Sequence, residues 1–204
     1  MEYHHLLPTT RTEALSDGIF AFAMTLLVLD LQFPDAAMVS GTPLSKLLIG
    51  QLPRFINYFT SFILLAVFWV VHHNIFHHIK RSNQLVLWLN VLLLSFVVLI
   101  PFSTSLVGDY DAHVAAEVFF AGNLFIIGML NFTIWTYATW KRRLTDPDLD
   151  EEFIKEARWQ NLAVPGVSLL AMAVAFVSPA SSGYVYFLIF FILAGRRYII
   201  SKRV

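Results

Sequence analysis

The chain of 204 residues has no cysteine, which excludes disulfides, thiolate metal sites and cysteine nucleophiles. Charge is scarce at 14%, and 14 basic residues balance 14 acidic ones, so the electrostatic footprint of a nucleic-acid partner is missing. Met1 to Thr10 has no apolar core of the kind a cleavable signal carries, and no such leader is expected. What fills the space is apolar: 57% hydrophobic residues, 19 of them Phe, with a mean hydropathy of +0.66. That composition specifies an integral membrane protein lying in a lipid bilayer.

Six apolar segments can be laid out: Thr12 to Phe33, Pro53 to His78, Gln84 to Val107, Val114 to Trp140, Trp159 to Val177 and Gly183 to Ile200. Each is too long for a barrel strand and none alternates with period two, so all are expected as transmembrane helices of one all-α membrane domain spanning 1–204. Pro34 and Asp35 end the first, Pro43 and Pro53 bound a loop, and Gly108-Asp109-Tyr110-Asp111 turns the chain between the third and fourth. The acidic, polar stretch from Arg143 to Ala157 reads as a short solvated linker. No internal repeat is evident.

Lys and Arg set the orientation. With both termini in the cytoplasm, that side holds Arg11, Lys80, Arg81, Lys141, Arg142, Arg143, Lys155, Arg158, Arg196, Arg197, Lys202 and Arg203. Only Lys46 and Arg54 fall opposite, as expected for a cell-membrane protein. Trp135, Tyr137 and Trp140 before Lys141-Arg142-Arg143 form an interfacial anchor, and Arg196-Arg197-Tyr198 repeats it. Gly122 and Gly128 suit close helix packing, with Asn123 and Asn131 beside them as candidate subunit contacts.

The first segment is the unusual one. Only Gly18 to Leu29 separate Asp17 from Asp30, about 18 Å of helix against roughly 30 Å of hydrocarbon, so at least one carboxylate lies at membrane depth. An ionisable group there is a candidate functional group. On a helical wheel Leu15, Gly18, Phe22, Thr25, Leu26, Leu29 and Phe33 share an arc of about 100°, with Asp17, Met24 and Val28 away from it. This apolar face with one hydroxyl either packs on another helix or lines a pore with an apolar constriction. Depth counting gives Asp17 its neighbours: it lies about 9 Å beyond Arg11, His73 about 10 Å before Lys80, and Asn90 a similar distance after Arg81. A polar layer of Ser16, Asp17, His72 or His73, and Asn90 follows, with the Trp69 indole as a further donor; the alternative is that Asp17 only caps a helix start. Asp30, near the other end and beside the pore arc, is placed either to concentrate cations or to stand as a solvated interfacial carboxylate.

Arg11-x-x-x-Leu15-Ser16-Asp17, followed by Gly18-Ile19-Phe20-Ala21-Phe22-Ala23-Met24-Thr25-Leu26-Leu27-Val28-Leu29, resembles the R-x-x-x-F-S-D signature and first helix of the prokaryotic homologues of the endosomal and lysosomal transmembrane potassium channel. Trp69, His72 and His73 on the second helix, with Asn90, Pro101 and Phe102 on the third, extend the resemblance more loosely. It implies a homotetrameric, potassium-selective leak-type channel whose four first helices line the pore, with no cofactor and potassium as the permeant ion. Phe22, Leu26 and Leu29 would form the apolar constriction, Thr25 a ring of selectivity hydroxyls, and potassium would pass near Phe22 and Thr25. Arg11, Ser16, Asp17, Trp69, His72, His73 and Asn90 would form the network holding the pore helix. Two departures stand out: Leu15 replaces the motif's Phe, and Phe22 stands where a smaller aliphatic residue is usual. No T-V-G-Y-G filter occurs, and a hydroxyl ring discriminates less than a carbonyl filter, so modest preference for potassium over sodium is expected.

Two rival readings follow from the residues. A proton-coupled transporter or proton pathway would use Asp17 with His72 or His73, since imidazole titrates near neutrality; no inverted repeat or matching pair of broken helices supports a transporter. A membrane metalloenzyme would use the H-x-x-x-H-H spacing of His73, His77 and His78. Its further histidines are wanting, because His4 and His5 lie near the N-terminus and His113 at the opposite face, so no enzyme is expected.

Overall fold

The computed structural model describes residues 9–32, 41–110, 113–189 and 192. Within them the chain is helical: α1 (Thr10–Leu26), α2 (Leu44–Gly50), α3 (Leu52–His78), α4 (Gln84–Val98), α5 (Ile100–Asp109), α6 (Val114–Thr139), α7 (Glu151–Asn161), α8 (Ala163–Val177) and α9 (Pro179–Ser182). Five helical stretches among the described residues are long and apolar enough to cross a bilayer: Thr10–Asp30, Leu52–His78, Gln84–Asp109, Val114–Arg142 and Glu151–Val177. In lipid a helix satisfies every backbone donor and acceptor internally, so a chain this apolar adopts little else. The protein is an all-α membrane protein. Of the expected sixth helix, Gly183–Tyr186 forms a 3₁₀ turn, and 190, 191 and 193–200 lie outside the described residues, as do the basic positions 196, 197, 202 and 203 and the histidines at 4 and 5.

Four boundaries depart from the sequence expectation. The first helix tightens to 3₁₀ geometry over Leu27–Asp30 and stops, with Leu31 at ψ 64°; the expected end at 33 is outside the described residues. The loop between Pro43 and Pro53 contains the short helix α2, entered from Pro43 in extended conformation. The third segment breaks at Leu99, one residue before Ile100-Pro101, because a proline nitrogen has no hydrogen to donate and its ring crowds the preceding turn. The stretch Arg143 to Ala157 is not wholly a solvated linker, since α7 starts at Glu151. Asp150 caps it by accepting the Phe153 amide at 3.2 Å, and Glu151 and Glu152 lie in its first turn, where carboxylates are favoured. Its apolar side is fixed to α6: Ile154 is buried, its carbonyl accepts the Trp135 indole N–H at 3.2 Å, and Phe153 meets Trp135 edge-on. Polar composition concealed an amphipathic helix.

α6 is the axis of the fold, with half of its apolar stretch buried by neighbours. Gly128 accounts for the tight crossing with α8, since a Cβ there would lie 2.6 Å from the Pro165 ring carbons, whereas Gly122 has open space around it. Asn123 is buried and donates to Ser103 at 3.5 Å, while Asn131 is buried with neither amide atom hydrogen-bonded among the described residues. Phe20 and Ala23 of α1, with Leu27 of the 3₁₀ turn that continues it, enter a core made with Leu64, Leu65 and Phe68 of α3, Leu93, Leu94 and Val97 of α4, and Leu124 and Ile127 of α6. This packing fixes which face of α1 is turned inward.

Candidate functional site

Thr12, Ser16, Phe20, Ala23, Leu27 and Asp30 recur every three or four residues and form the buried stripe of the first helix. The opposite side is bare in the single chain: Phe22 is 59% and Leu29 62% exposed, Leu15, Gly18 and Thr25 are exposed, and Leu26 is half-buried at its margin. Position 33 lies outside the described residues. The Thr25 hydroxyl donates to the Phe22 carbonyl at 2.7 Å. Its hydrogen is thereby used within the helix, leaving oxygen lone pairs for anything that approaches from the exposed side.

The buried stripe is tied down by a short chain of polar side chains. Ser16 Oγ donates to the Thr12 carbonyl at 2.8 Å, Asn90 Nδ2 donates to Ser16 Oγ at 3.2 Å, and Asn90 Oδ1 lies 2.7 Å from His72 Nε2. An amide oxygen only accepts, so with this Asn90 orientation Nε2 carries the hydrogen and donates it. Ser16, Asn90 and His72 are all buried. The His72 ring is stacked on Phe76 at 4.4 Å and tilted against Phe20 at 5.7 Å, which holds its donor toward α4.

The other residues of the expected polar layer divide differently. Asp17 does not enter the buried chain; it is exposed and accepts the Trp69 indole N–H at 2.8 Å. Asn90, with a donor and an acceptor on one short side chain, takes the central place that was expected for the carboxylate. His73 is exposed and stacks on Trp69 at 5.8 Å, with His77 a further 6.4 Å along α3. Arg11 is exposed, with no hydrogen bond or ion pair among the described residues. No group of three or more His, Cys, Asp or Glu side chains among them converges to hold a metal ion.

Asp30, at the end of the first helix, is the buried carboxylate of that segment, and it is turned away from the bare face. It is buried, its main-chain carbonyl accepts Arg54 Nη1 at 3.3 Å, and its Oδ1 stands 3.9 Å from the same nitrogen. Arg54 Nη2 donates to Asp109 Oδ1 at 2.8 Å. The end of the first helix is thus joined to α3 and α5 through one guanidinium, with Gly108 close enough that a Cβ would sit 3.3 Å from Asp30 Oδ2. The expectation that Asp30 either concentrates cations beside the pore arc or stands as a solvated interfacial carboxylate is corrected: the side chain is buried within the chain with Arg54 as its ion partner. Arg54, read from the sequence only as one of the two cations on the side opposite the termini, is a residue of this site that the sequence reading did not single out. The readable signal was charge at matched depth, since Asp30, Arg54 and Asp109 end or begin three segments on one side of the membrane.

Comparison with known proteins gives one answer. Residues 11–101 match the model of the endosomal/lysosomal potassium channel TMEM175 family. A potassium channel of Chamaesiphon minutus is 36% identical over 174 residues, covering 83% of this chain and 85% of that one, and a potassium channel of Streptomyces collinus is 34% identical over 179 residues, covering 82% of each. The endosomal/lysosomal proton channel TMEM175 of Bos taurus is 33% identical over 147 residues, 67% of this chain but 31% of its own length. The crystal structure of a lysosomal potassium-selective channel TMEM175 homolog from Chamaesiphon minutus superposes with a TM-score of 0.81 at 32% identity, over 92% of this chain and 97% of that one. A variant of the potassium channel MtTMEM175, at 20% identity and a TM-score of 0.63, shares the fold. By the family match over 11–101 and by these relatives, this chain belongs to the TMEM175 family, whose members are channels and not enzymes.

Proposed function

We propose that this protein is a potassium-selective cation channel of the leak type, in which four copies set the bare faces of their first helices around a common axis. The observation that carries the reading is the division of α1 into two faces: Ser16 is bonded into the subunit while Phe22, Thr25 and Leu29 are turned out of it. One such helix encloses nothing, so a pore requires further copies, and relatives named potassium channels support the ion. Phe22, Leu26 and Leu29 form stacked apolar layers that exclude ions by dewetting until the axis widens. Thr25 places a ring of hydroxyl oxygens between the first and last layers as partial replacements for water ligands. Arg11, Asp17, Trp69 and His73 serve at the cytoplasmic end, and the buried chain of Ser16, Asn90 and His72 holds the helix without touching the ion. The chain acts as one domain in the cell membrane with both termini in the cytoplasm, and no cofactor takes part.

The test is current through bilayers containing the purified protein, with potassium on one side and sodium on the other. Discrete steps reversing toward the potassium potential are expected. Folded protein that gives no steps, including as the Phe22→Ala variant, would contradict the channel reading. A second reading, proton conduction, is favoured by the bovine relative's being a proton channel. It is distinguished by imposing a pH gradient at symmetrical potassium: a reversal potential that follows the protons assigns them as the permeant ion.

A further inference from the structure

A shallow groove of about 440 Å³ runs along the last turns of α6, walled by Phe132, Thr133, Tyr137 and Trp140 and ended by Arg143. From Phe132 to Trp140 the helix rises about 12 Å, most of the roughly 15 Å of hydrocarbon in one leaflet. The Arg143 guanidinium carbon stands 5.5 Å over the Tyr137 ring. That contact fixes the cation at the mouth of the groove and leaves the N–H groups at its edge to meet an anion. The turn beyond the helix gathers more positive charge at the same level. Lys141 and Arg142 both hold left-handed backbone, at φ 52° and 53°, a conformation unfavourable to L side chains and kept only where the surroundings impose it. Arg142 is used inside the fold, donating to the Pro147 and Leu149 carbonyls and facing Glu151. The Leu144 carbonyl accepts the backbone N–H groups of Lys80 and Arg81, so these two residues join Lys141 and Arg143 at one membrane interface. None of the four has an ion pair among the described residues. Three acids of the adjoining loop are engaged elsewhere: Asp146 accepts the Asp148 amide, Asp150 caps α7 and Glu151 faces Arg142. Four cations beside an apolar groove match a phospholipid of net negative charge.

We propose that this groove is a specific site for one anionic phospholipid, whose phosphate is held by Arg143 and whose acyl chain lies along α6 from Trp140 to Phe132. Occupancy acts on conduction through Tyr137, whose hydroxyl accepts Asn83 Nδ2 at 2.8 Å. Asn83 caps α4 by accepting the Val86 amide at 3.1 Å, and two turns further along α4 Asn90 is bonded to Ser16 of the first helix. The coupling rests on the channel reading; the binding does not.

The experiment reconstitutes the intact protein in phosphatidylcholine vesicles and adds phosphatidylglycerol or phosphatidylcholine with brominated acyl chains, which quench a tryptophan they touch. The chain has five Trp, so the Trp140 signal is the difference between the parent and Trp140→Phe. Brominated phosphatidylglycerol is expected to quench that signal at a mole fraction at least fivefold lower than brominated phosphatidylcholine. Arg143→Gln is expected to erase the preference while leaving quenching by phosphatidylcholine as it was, which also shows the variant to be folded. Lys155→Gln, on α7 outside the groove, is expected to keep the preference. Equal quenching by the two lipids, a preference that survives Arg143→Gln, or one lost equally in Lys155→Gln would overturn the site, the last by showing only a general surface attraction. A Trp140 signal that neither lipid quenches would overturn it as well, since a second protein surface then covers the groove. Potassium flux into the same vesicles is expected to change at least threefold with phosphatidylglycerol in the parent and not in Arg143→Gln. Flux indifferent to the lipid that binds would overturn the coupling. Absence of flux in every lipid would count against the channel and leave the site standing.

Discussion

Asn90→Leu separates the polar chain from the packing around it. Asn90 is 1% exposed and has two side-chain hydrogen bonds, one to His72 at 2.7 Å and one to Ser16 at 3.2 Å. Leucine fills a similar volume, so the loss is polar and not a cavity. Interhelical hydrogen bonds in membranes average about 0.6 kcal/mol each, and leaving the buried His72 donor unsatisfied adds about 1–3 kcal/mol. The variant is expected to lose about 2–4 kcal/mol of stability. Ser16 loses less, because its own hydrogen still goes to the Thr12 carbonyl. His72→Phe alone removes the donor and costs about 1–2 kcal/mol for the stranded Asn90 oxygen, while its ring keeps the stacking on Phe76. The double variant removes both members, so its cost falls short of the sum by at least about 1 kcal/mol. Reversible unfolding of the purified protein in detergent, followed by near-UV signal, measures all three. Strict additivity, or an Asn90→Leu protein as stable as the parent, would refute the placement of Asn90 at the centre of the network.

Gly128→Ala sets a Cβ 2.6 Å from the Pro165 ring and is expected to lower stability by about 1–3 kcal/mol, whereas Gly122→Ala, with space around it, leaves the melting temperature unchanged. Arg54→Gln removes the cation from the buried Asp30 and is expected to cost about 1–2 kcal/mol, reduced from the fully buried case because Arg54 is 30% exposed; adding Asp30→Asn should restore most of it in the same melting assay. Thr25→Val is expected to shift the potassium–sodium reversal potential toward zero with stability unchanged. Phe22→Ala is expected to raise the current severalfold in bilayer recordings if the proposed apolar layer at this position closes the axis by dewetting.

The division of the first helix, α1 with its 3₁₀ continuation, into two faces was legible because its period is the helix's own: the exposed positions 15, 18, 22, 25 and 29 follow the same rule as the buried positions 16, 20, 23 and 27. Depth counting brought Asp17, His73 and Asn90 to one layer, with Ser16 and His72 beside them, since rise per residue is fixed. It left open which of them bond, because angular position around α3 and α4 is decided by core packing, and that packing put Asp17 and His73 on the exposed side. α7 was hidden by its polarity, its apolar contacts resting on Phe153 and Ile154. The Arg54 clamp was hidden by sequence distance, as Asp30, Arg54 and Asp109 become neighbours only when three helix ends meet.

The absence of native cysteine makes single introduced thiols the most direct probe of which helix borders the ion path. Thr25→Cys, Leu29→Cys, Ala23→Cys and Phe176→Cys, the last on the exposed side of α8, would each be recorded before and after a water-soluble, positively charged thiol reagent. If the first helix lines the pore, Thr25→Cys and Leu29→Cys lose their current, while the buried Ala23→Cys and the α8 variant Phe176→Cys keep theirs. Current that survives at positions 25 and 29, or that is lost at 176, would place the conduction path elsewhere.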